Sequence, residues 1–503
     1  MARASADGAP AVDPMERAPI VYPYIPNSEP RVKQAMLDAI GIESVEEIYQ
    51  EIPSHLRLGR RLNVPGPIAS EYRLRRYIEE LLAQNKNCKD YTNFLGGGVW
   101  QHYVPSVCTT IMGRDEFLTA YAGDAYADHG KFQAQFEYAS CIAELVDMEV
   151  VNTPTYDWGM AAATTIRMAS RLTGRSGAVI AGSVSPERLA CMRTYAESIV
   201  PTFAHVGVDP DTGQIDLAAL SRAVTEETAV VYFENPSYLG AIQTQGAEIS
   251  RIVGAQHALL SVGVDPMSLG VLEAPGRYGA DLVCGDIQPL GIHMYFGGGG
   301  GGFIATRDEA AFVAEYPSLL FGLTTTVQEG EYGFGEVTYE RTSYGSREKA
   351  KDFVGTMAQL HGIVAGVYLA LMGPQGMREL GEGIMQRVAY VLDALSTLPG
   401  VKAPAFGGAM HFKEFVVNYD GTGKTVAEIN AALLERRIFG GKDLSGEFPE
   451  LGQSALYCVT EIHTKDDIDG LVTALREILW VAPGPSSAAA EPVSAPGVGR
   501  GII

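Results

Sequence analysis

Four short apolar runs constrain this chain more than any other feature: GAVIAG at 177–182, TAVVYFENP at 228–236, HALLSVGVDP at 257–266 and ADLVCGD at 280–286. Helical or loop stretches separate them, and a helix-like run from Ala161 to Leu172 precedes them. A strand that is apolar on both sides has to be covered on both faces, which is the pattern of a mostly parallel sheet between helices. The runs therefore predict an α/β fold. With 503 residues, 46% of them apolar and 19% charged, the chain can bury a large core and divide into two or three compact units.

The remaining organisation follows from texture. Residues 1–20 read as a flexible arm, and 21–89 as an N-terminal helical arm region. Within that region SEYRLRRYIEELLAQN at 70–85 presents Leu74, Tyr77, Ile78, Leu81 and Leu82 on one side. Residues 90–345 hold the large α/β domain, 346–482 a smaller C-terminal α/β domain, and 483–503 a disordered tail biased to Pro, Ala, Ser and Gly. In the C-terminal part, two helical stretches, Phe353 to Leu371 and Met377 to Leu398, precede a strand HFKEFVVNY at 411–419. The helix VAEINAALLERR, the strand ALYCVTEI and the helix DIDGLVTALREIL follow. No charged residue lies between Asp352 and Arg378, a run long enough to suggest a membrane span. It carries Gln359, His361 and several small residues, so a buried helix is expected and no membrane partner.

Composition narrows the function classes. A net charge of −22 and a pI near 4.9 oppose non-specific attraction to nucleic-acid phosphates or anionic lipid. Six cysteines, at 88, 108, 141, 191, 284 and 458, are far apart and lack CxxC pairing, as in a reduced compartment. The start, MARASADGAPAVDPMERAP, lacks the apolar core of a signal peptide, and a cytoplasmic setting is expected. The histidines are scattered without metal-ligand spacing, so no metal site is expected, and no GxSxG elbow is present. The run GGGGGG at 297–302 lacks the GxGxxG-then-helix context of a dinucleotide site; it fits either close backbone approach or a solvated loop.

Several long segments carry a resemblance: YIPNSEPRVKQAMLDAIGIESVEEIYQEIP, FLGGGVWQHYVPSV, FQAQFEYASCIAELVDMEVVN, VDPMSLGVLEAPGRYGADLVCGD and SREKA. Together they resemble the alpha subunit (subunit 1) of the two-subunit glycine dehydrogenase (decarboxylating), the P protein of the glycine cleavage system, from about Tyr22 to Leu479. The resemblance implies a pyridoxal-phosphate-dependent transferase-like fold of type I. It also implies a heterotetramer with a catalytic beta subunit that carries the coenzyme, and a subunit not active alone. The implied reaction decarboxylates glycine, a small amino acid, and passes the aminomethyl group to the lipoylated H protein. An enzyme of this fold holds its coenzyme through a lysine. From Phe132 to Glu348 this chain has no lysine, and where the resemblance places the anchor it reads GDIQPLGIH, with Gln288 and Pro289. Pyridoxal phosphate is thus expected on the partner. Two alternatives stay open: a repurposed complex acting on another small amino acid or amine, and a non-catalytic scaffold or regulatory pseudoenzyme.

Three stretches depart from the family pattern: YAGDAYAD from Tyr121 to Asp128, Tyr156-Asp157-Trp158-Gly159-Met160, and KDFVGTMAQ after SREKA. The second narrows any anion cup at that helix entrance. Tyr156, Asp157, Asp265 and Gln288 are candidates for a vestigial coenzyme pocket. Asp265 fits either an acid facing a pyridinium nitrogen or, preferred here, an acceptor for the Met267–Gly270 turn. Gly96, Gly97 and Gly98 place flexible backbone beside His102 and Tyr103, which are candidates for lining the site; a packed structural histidine is an equal reading of His102. Asn93 and Tyr121 are weaker candidates of the same kind. Arg347 suits either a substrate carboxylate or a domain-linking salt bridge.

Overall fold

The computed structural model describes residues 20–60, 62–118, 129–337, 341–342, 346, 350–355 and 357–479; Tyr121, the YAGDAYAD stretch and Arg347 lie outside them. Two compact units divide between Asn85 and Lys86. In the first, the helix Pro30–Ile40 starts where Glu29 accepts a hydrogen bond from the Val32 N–H and stops at Gly41, whose φ of 81° suits glycine. The helix Glu71–Leu82 is capped by Ser70, and its apolar stripe of Leu74, Tyr77, Ile78 and Leu81 is exposed in this chain.

The second unit is built on a seven-stranded sheet. Its strands are β1 (Val150–Val151), β2 (Gly177–Ala181), β3 (Thr202–Val206), β4 (Thr228–Glu234), β5 (Leu259–Val264), β6 (Leu282–Asp286) and β7 (Gly302–Thr306), in the order β1-β7-β6-β5-β4-β2-β3. The strands from β2 to β6 pair in parallel, while β7 runs antiparallel to β6 and β1 antiparallel to β7. Every residue of β4 is buried, as the unbroken apolar run requires of a strand covered on both faces. The helix Trp158–Thr173 packs across the sheet and buries Trp158, Ala161, Ala162 and Ile166. The glycine run divides: Gly297 and Gly298 are exposed, whereas Gly299, Gly301 and Gly302 are buried. It leads into β7 so tightly that a Cβ on Gly302 would lie 2.0 Å from the Asp157 carbonyl.

The C-terminal helices form one element, Gln359–Ser396, broken at Gly373 (φ 59°, ψ 179°) ahead of Pro374. Residues 353–355 and 357–358 are not helical, contrary to the periodicity. The Val354 N–H donates to Pro317 O and the Ala358 N–H to Pro154 O, both at 2.8 Å, so tertiary partners take the donors that a helix would use. Among the described residues no helix is long and apolar enough to cross a membrane. The strands β8 (Glu414–Asn418), β9 (Lys442–Asp443) and β10 (Ser454–Cys458) form an antiparallel sheet in the order β8-β10-β9. The segment 92–96 is tied to this region, since Thr92–Asn93 pairs with Ile438–Phe439 and the Gly96 N–H donates to Leu456 O.

Candidate functional site

In an open α/β sheet, ligands bind outside the carboxyl ends of the parallel strands. Here three neighbouring strands end in acids: Glu234 closes β4, Asp265 follows β5 and Asp286 closes β6. Each carboxylate is answered from within the chain.

Glu234, 1% exposed, accepts two hydrogen bonds from Arg188, at 2.7 and 2.6 Å. Arg188 sits in the helix Pro186–Ala196, which Ser185 caps, and its guanidinium lies 4.0 Å from the centre of the Trp158 ring. Trp158 Nε1 donates to the Tyr232 hydroxyl at 3.1 Å, and that hydroxyl donates to Glu234 at 3.1 Å. Two parallel N–H bonds to a buried carboxylate are strong because no water competes for either group.

Asp265 uses both oxygens. Oδ1 accepts from the Met267 N–H at 3.1 Å, holding the Pro266–Gly270 turn, while Oδ2 lies 2.7 Å from the Lys413 ammonium. Lys413, 2% exposed, enters from the residue before β8 and sits 3.4 Å above the centre of the Trp100 ring. Its ammonium also reaches His102 Nε2 at 3.2 Å, and His102 Nδ1 lies 2.8 Å from Glu461 Oε2. An ammonium only donates, so Nε2 accepts and the ring proton on Nδ1 points at Glu461. Burial pushes the Glu461 carboxyl up, but the hydrogen bonds from His102 Nδ1 and the Tyr103 N–H outweigh it and hold the group below the usual carboxylate range. The result is a chain of four groups, Glu461–His102–Lys413–Asp265, buried except at Glu461, whose side chain is 14% exposed. The cavity left among Trp100, Trp158, Arg188, Tyr238, Asp265 and Lys413 is about 20 Å³, room for one water.

Asp286 accepts from the Gln288 N–H at 2.8 Å and the Gly301 N–H at 3.2 Å; burial nevertheless pushes its carboxyl up to about 6, with Asp157 adding to the shift. Asp157 caps the Trp158 helix by accepting from the Met160 N–H at 2.8 Å. These two acids and Glu187 line an outer cleft of about 220 Å³ together with Arg188, whose guanidinium is committed to Glu234, so the helix entrance presents carboxylates where an anion would need free N–H groups. Gln288, 2% exposed, stitches the floor of the cleft: its Oε1 accepts from the Trp100 N–H, and its Nε2 donates to the carbonyls of Trp100 and Ile292.

The structure thus brings Asp157, Asp265, Gln288, His102 and Gly98 to one region and places other candidates apart from it. Tyr103 is 65% exposed and reaches the network only through its N–H. Tyr156 is exposed. Asn93 lies in a separate polar cleft, where its carbonyl meets His463 Nε2 at 2.8 Å. Gly97 (φ 98°) lets its N–H donate to Glu414 at 2.6 Å, Gly96 packs against Leu456, and Gly98 lines the outer cleft. Sequence reasoning missed Lys413, Glu461, Arg188 and Glu234. One signal was legible: in HFKEFVVNY, Lys413 alternates with Phe415 and Val417, which places a charge in the inward register of a core strand.

Residues 23–475 match the family model described as glycine cleavage system P-protein. The probable glycine dehydrogenase (decarboxylating) subunit 1 of Staphylothermus marinus is 37% identical over 466 residues, 91% of this chain and 98% of its own. Its counterpart in Pyrococcus furiosus is 38% identical over 459 residues, 91% of this chain and 99% of its own. A crystal structure of glycine decarboxylase (P-protein) of the glycine cleavage system, in inhibitor-bound form, superposes with a TM-score of 0.79 at 34% identity, covering 89% of this chain and 98% of that one. Sphingosine-1-phosphate lyase of Burkholderia pseudomallei shares the fold alone, with a TM-score of 0.61 at 15% identity over 85% of this chain and 94% of its own. The fold is that of pyridoxal-phosphate-dependent transferases of type I.

Measured against that coenzyme, this pocket does not fit. Gln288 offers an amide where the resemblance places an amine, the Asp265 carboxylate is already paired, and the helix entrance that would bind a phosphate is lined with acids.

Proposed function

The chain belongs to the glycine cleavage system P-protein family, and on that premise we propose that it is the subunit of a glycine decarboxylase that does not anchor the coenzyme. Its subunit-1 relatives imply a second subunit. In this reading pyridoxal phosphate sits on that partner, and the complex decarboxylates glycine and hands the aminomethyl group to the lipoyl arm of the H protein. The observation that carries it is Gln288. Both ends of its amide are committed to the backbone of Trp100 and Ile292, in the stretch from Phe132 to Glu348 that contains no lysine.

This chain's own part is to hold surfaces in place. Gln288 and Glu461 fix segment 100–103 from two sides, and Glu414 fixes the glycine run before it. Glu234 and Asp265, each paired with a buried cation, and Asp286, held by two backbone N–H groups, make a fixed floor, since breaking a buried pair leaves an uncompensated charge.

The test is exchange of labelled bicarbonate into glycine, with this chain, its coenzyme-bearing partner and H protein present together or singly. Exchange only in the complete mixture supports the reading. A well-assembled complex that exchanges nothing with glycine refutes it, and activity on another small amino acid or amine would select the repurposed complex.

A further inference from the structure

We propose that Lys413 is a built-in counter-ion that closes this chain's own coenzyme cradle, its ammonium holding the Asp265 carboxylate that a pyridinium ring would otherwise need. This deepens the preceding reading, in which the coenzyme belongs to the partner, but it concerns only this pocket and stands whichever substrate the complex uses.

Three independent features converge on it. First, the pair is sealed: the side chains of Lys413 and Asp265 are 3% and 6% exposed, at 2.7 Å. Second, the surroundings suit an ammonium rather than a ring. The Trp100 face lies 3.4 Å from Nζ, the geometry in which the ring quadrupole attracts a cation, and His102 Nε2 supplies an acceptor at 3.2 Å. Third, the free space beside the pair is about 20 Å³, room for one water and not for a ring, and the outer cleft of about 220 Å³ is lined by neither Asp265 nor Lys413.

The closure also joins parts of the chain far apart in sequence. Lys413 and Glu461 flank the C-terminal strands β8 and β10, Asp265 follows β5, and Trp100 and His102 belong to the segment after the glycine run. A coenzyme in such a pocket would pin strand end, aromatic face and neighbouring segment together. Here a side chain already does so, which lets the pocket keep its shape without the coenzyme.

The assembled complex with its partner is incubated with pyridoxal phosphate, reduced with borohydride, and both chains are mapped by mass spectrometry; this chain is then titrated alone while its tryptophan fluorescence is followed. The expected result is an adduct on the partner only, with no saturable quenching in this chain. Saturable binding to this chain alone would overturn the closure while leaving the coenzyme on the partner. An adduct at Lys413 with none on the partner would overturn both readings.

Two variants read the counter-ion directly. Lys413→Ala is expected to unfold at lower temperature than the wild type and to recover part of the loss with n-propylammonium. Lys413→Met, which refills the volume without the charge, is expected to be destabilised and not rescued. Variants as stable as wild type would refute the assignment, and should Lys413→Ala fail to fold, the wild-type titration still decides it.

Discussion

Replacing Arg188 with methionine tests whether the strand-end acids depend on internal partners. The guanidinium makes two bonds to Glu234, at 2.7 and 2.6 Å, and the Glu234 side chain is 0% exposed. Taking a charge separation of about 4 Å and an effective dielectric of about 20, the pair attracts by about 4 kcal/mol. Removing one partner from a buried pair typically costs about 3–5 kcal/mol, because the other charge stays desolvated. Methionine keeps part of the contact with the Trp158 face, so packing loss adds little. Arg188→Met should therefore lose about 3–5 kcal/mol in urea unfolding followed by tryptophan fluorescence. Glu234→Met combined with it should restore most of that, since two apolar groups leave no buried charge; the remaining deficit is about 1 kcal/mol for the Tyr232 hydroxyl, which loses its acceptor. A loss below about 1 kcal/mol in the single variant, or a double variant worse than the single, would refute the reasoning.

Asp286 and Gly240 offer two further tests. The Asp286 carboxyl is raised from 3.8 to about 6, so the folded chain holds its proton more tightly than the unfolded one. That stability is complete at low pH and is lost as pH rises through 6, so the advantage of Asp286→Asn should grow by about 2 kcal/mol between pH 4 and 7 and then level off; an advantage constant across a pH series of melting curves would contradict it. Gly240 (φ 88°) has no room for a side chain, because a Cβ would lie 2.1 Å from the Glu414 carbonyl. Gly240→Ala should cost more than about 3 kcal/mol and depress the melting temperature sharply, and a variant melting like wild type would show that the two backbones do not cross this closely.

Much of the fold was legible because periodicity is local. The runs at 177–182, 228–236, 257–266 and 280–286 all became parallel strands, and the break at Gly373 and Pro374 separates the two helical stretches that the pattern predicts. The error at Val354 and Ala358 has the same origin: apolar spacing alone cannot reveal that Pro317 and Pro154 compete for their N–H groups. The site was less legible. Asp265 and Gln288 were visible from their places after strands, and so was the turn that Asp265 holds, but its ionic partner Lys413 was not, and Tyr103 is exposed where the motif suggested a lining residue.

The sequence by itself determined the parallel α/β sheet, the family and the lack of a lysine where the anchor is expected, because each depends on residue type at a position or on a pattern within a short window. Only the tertiary structure decided that Lys413 lies against Asp265, that Glu461 braces it through His102, and that Arg188 neutralises Glu234. A buried ion pair exists only where two desolvated charges come within a few ångströms, and that meeting is set by how the C-terminal strands and the large sheet pack, not by either segment alone.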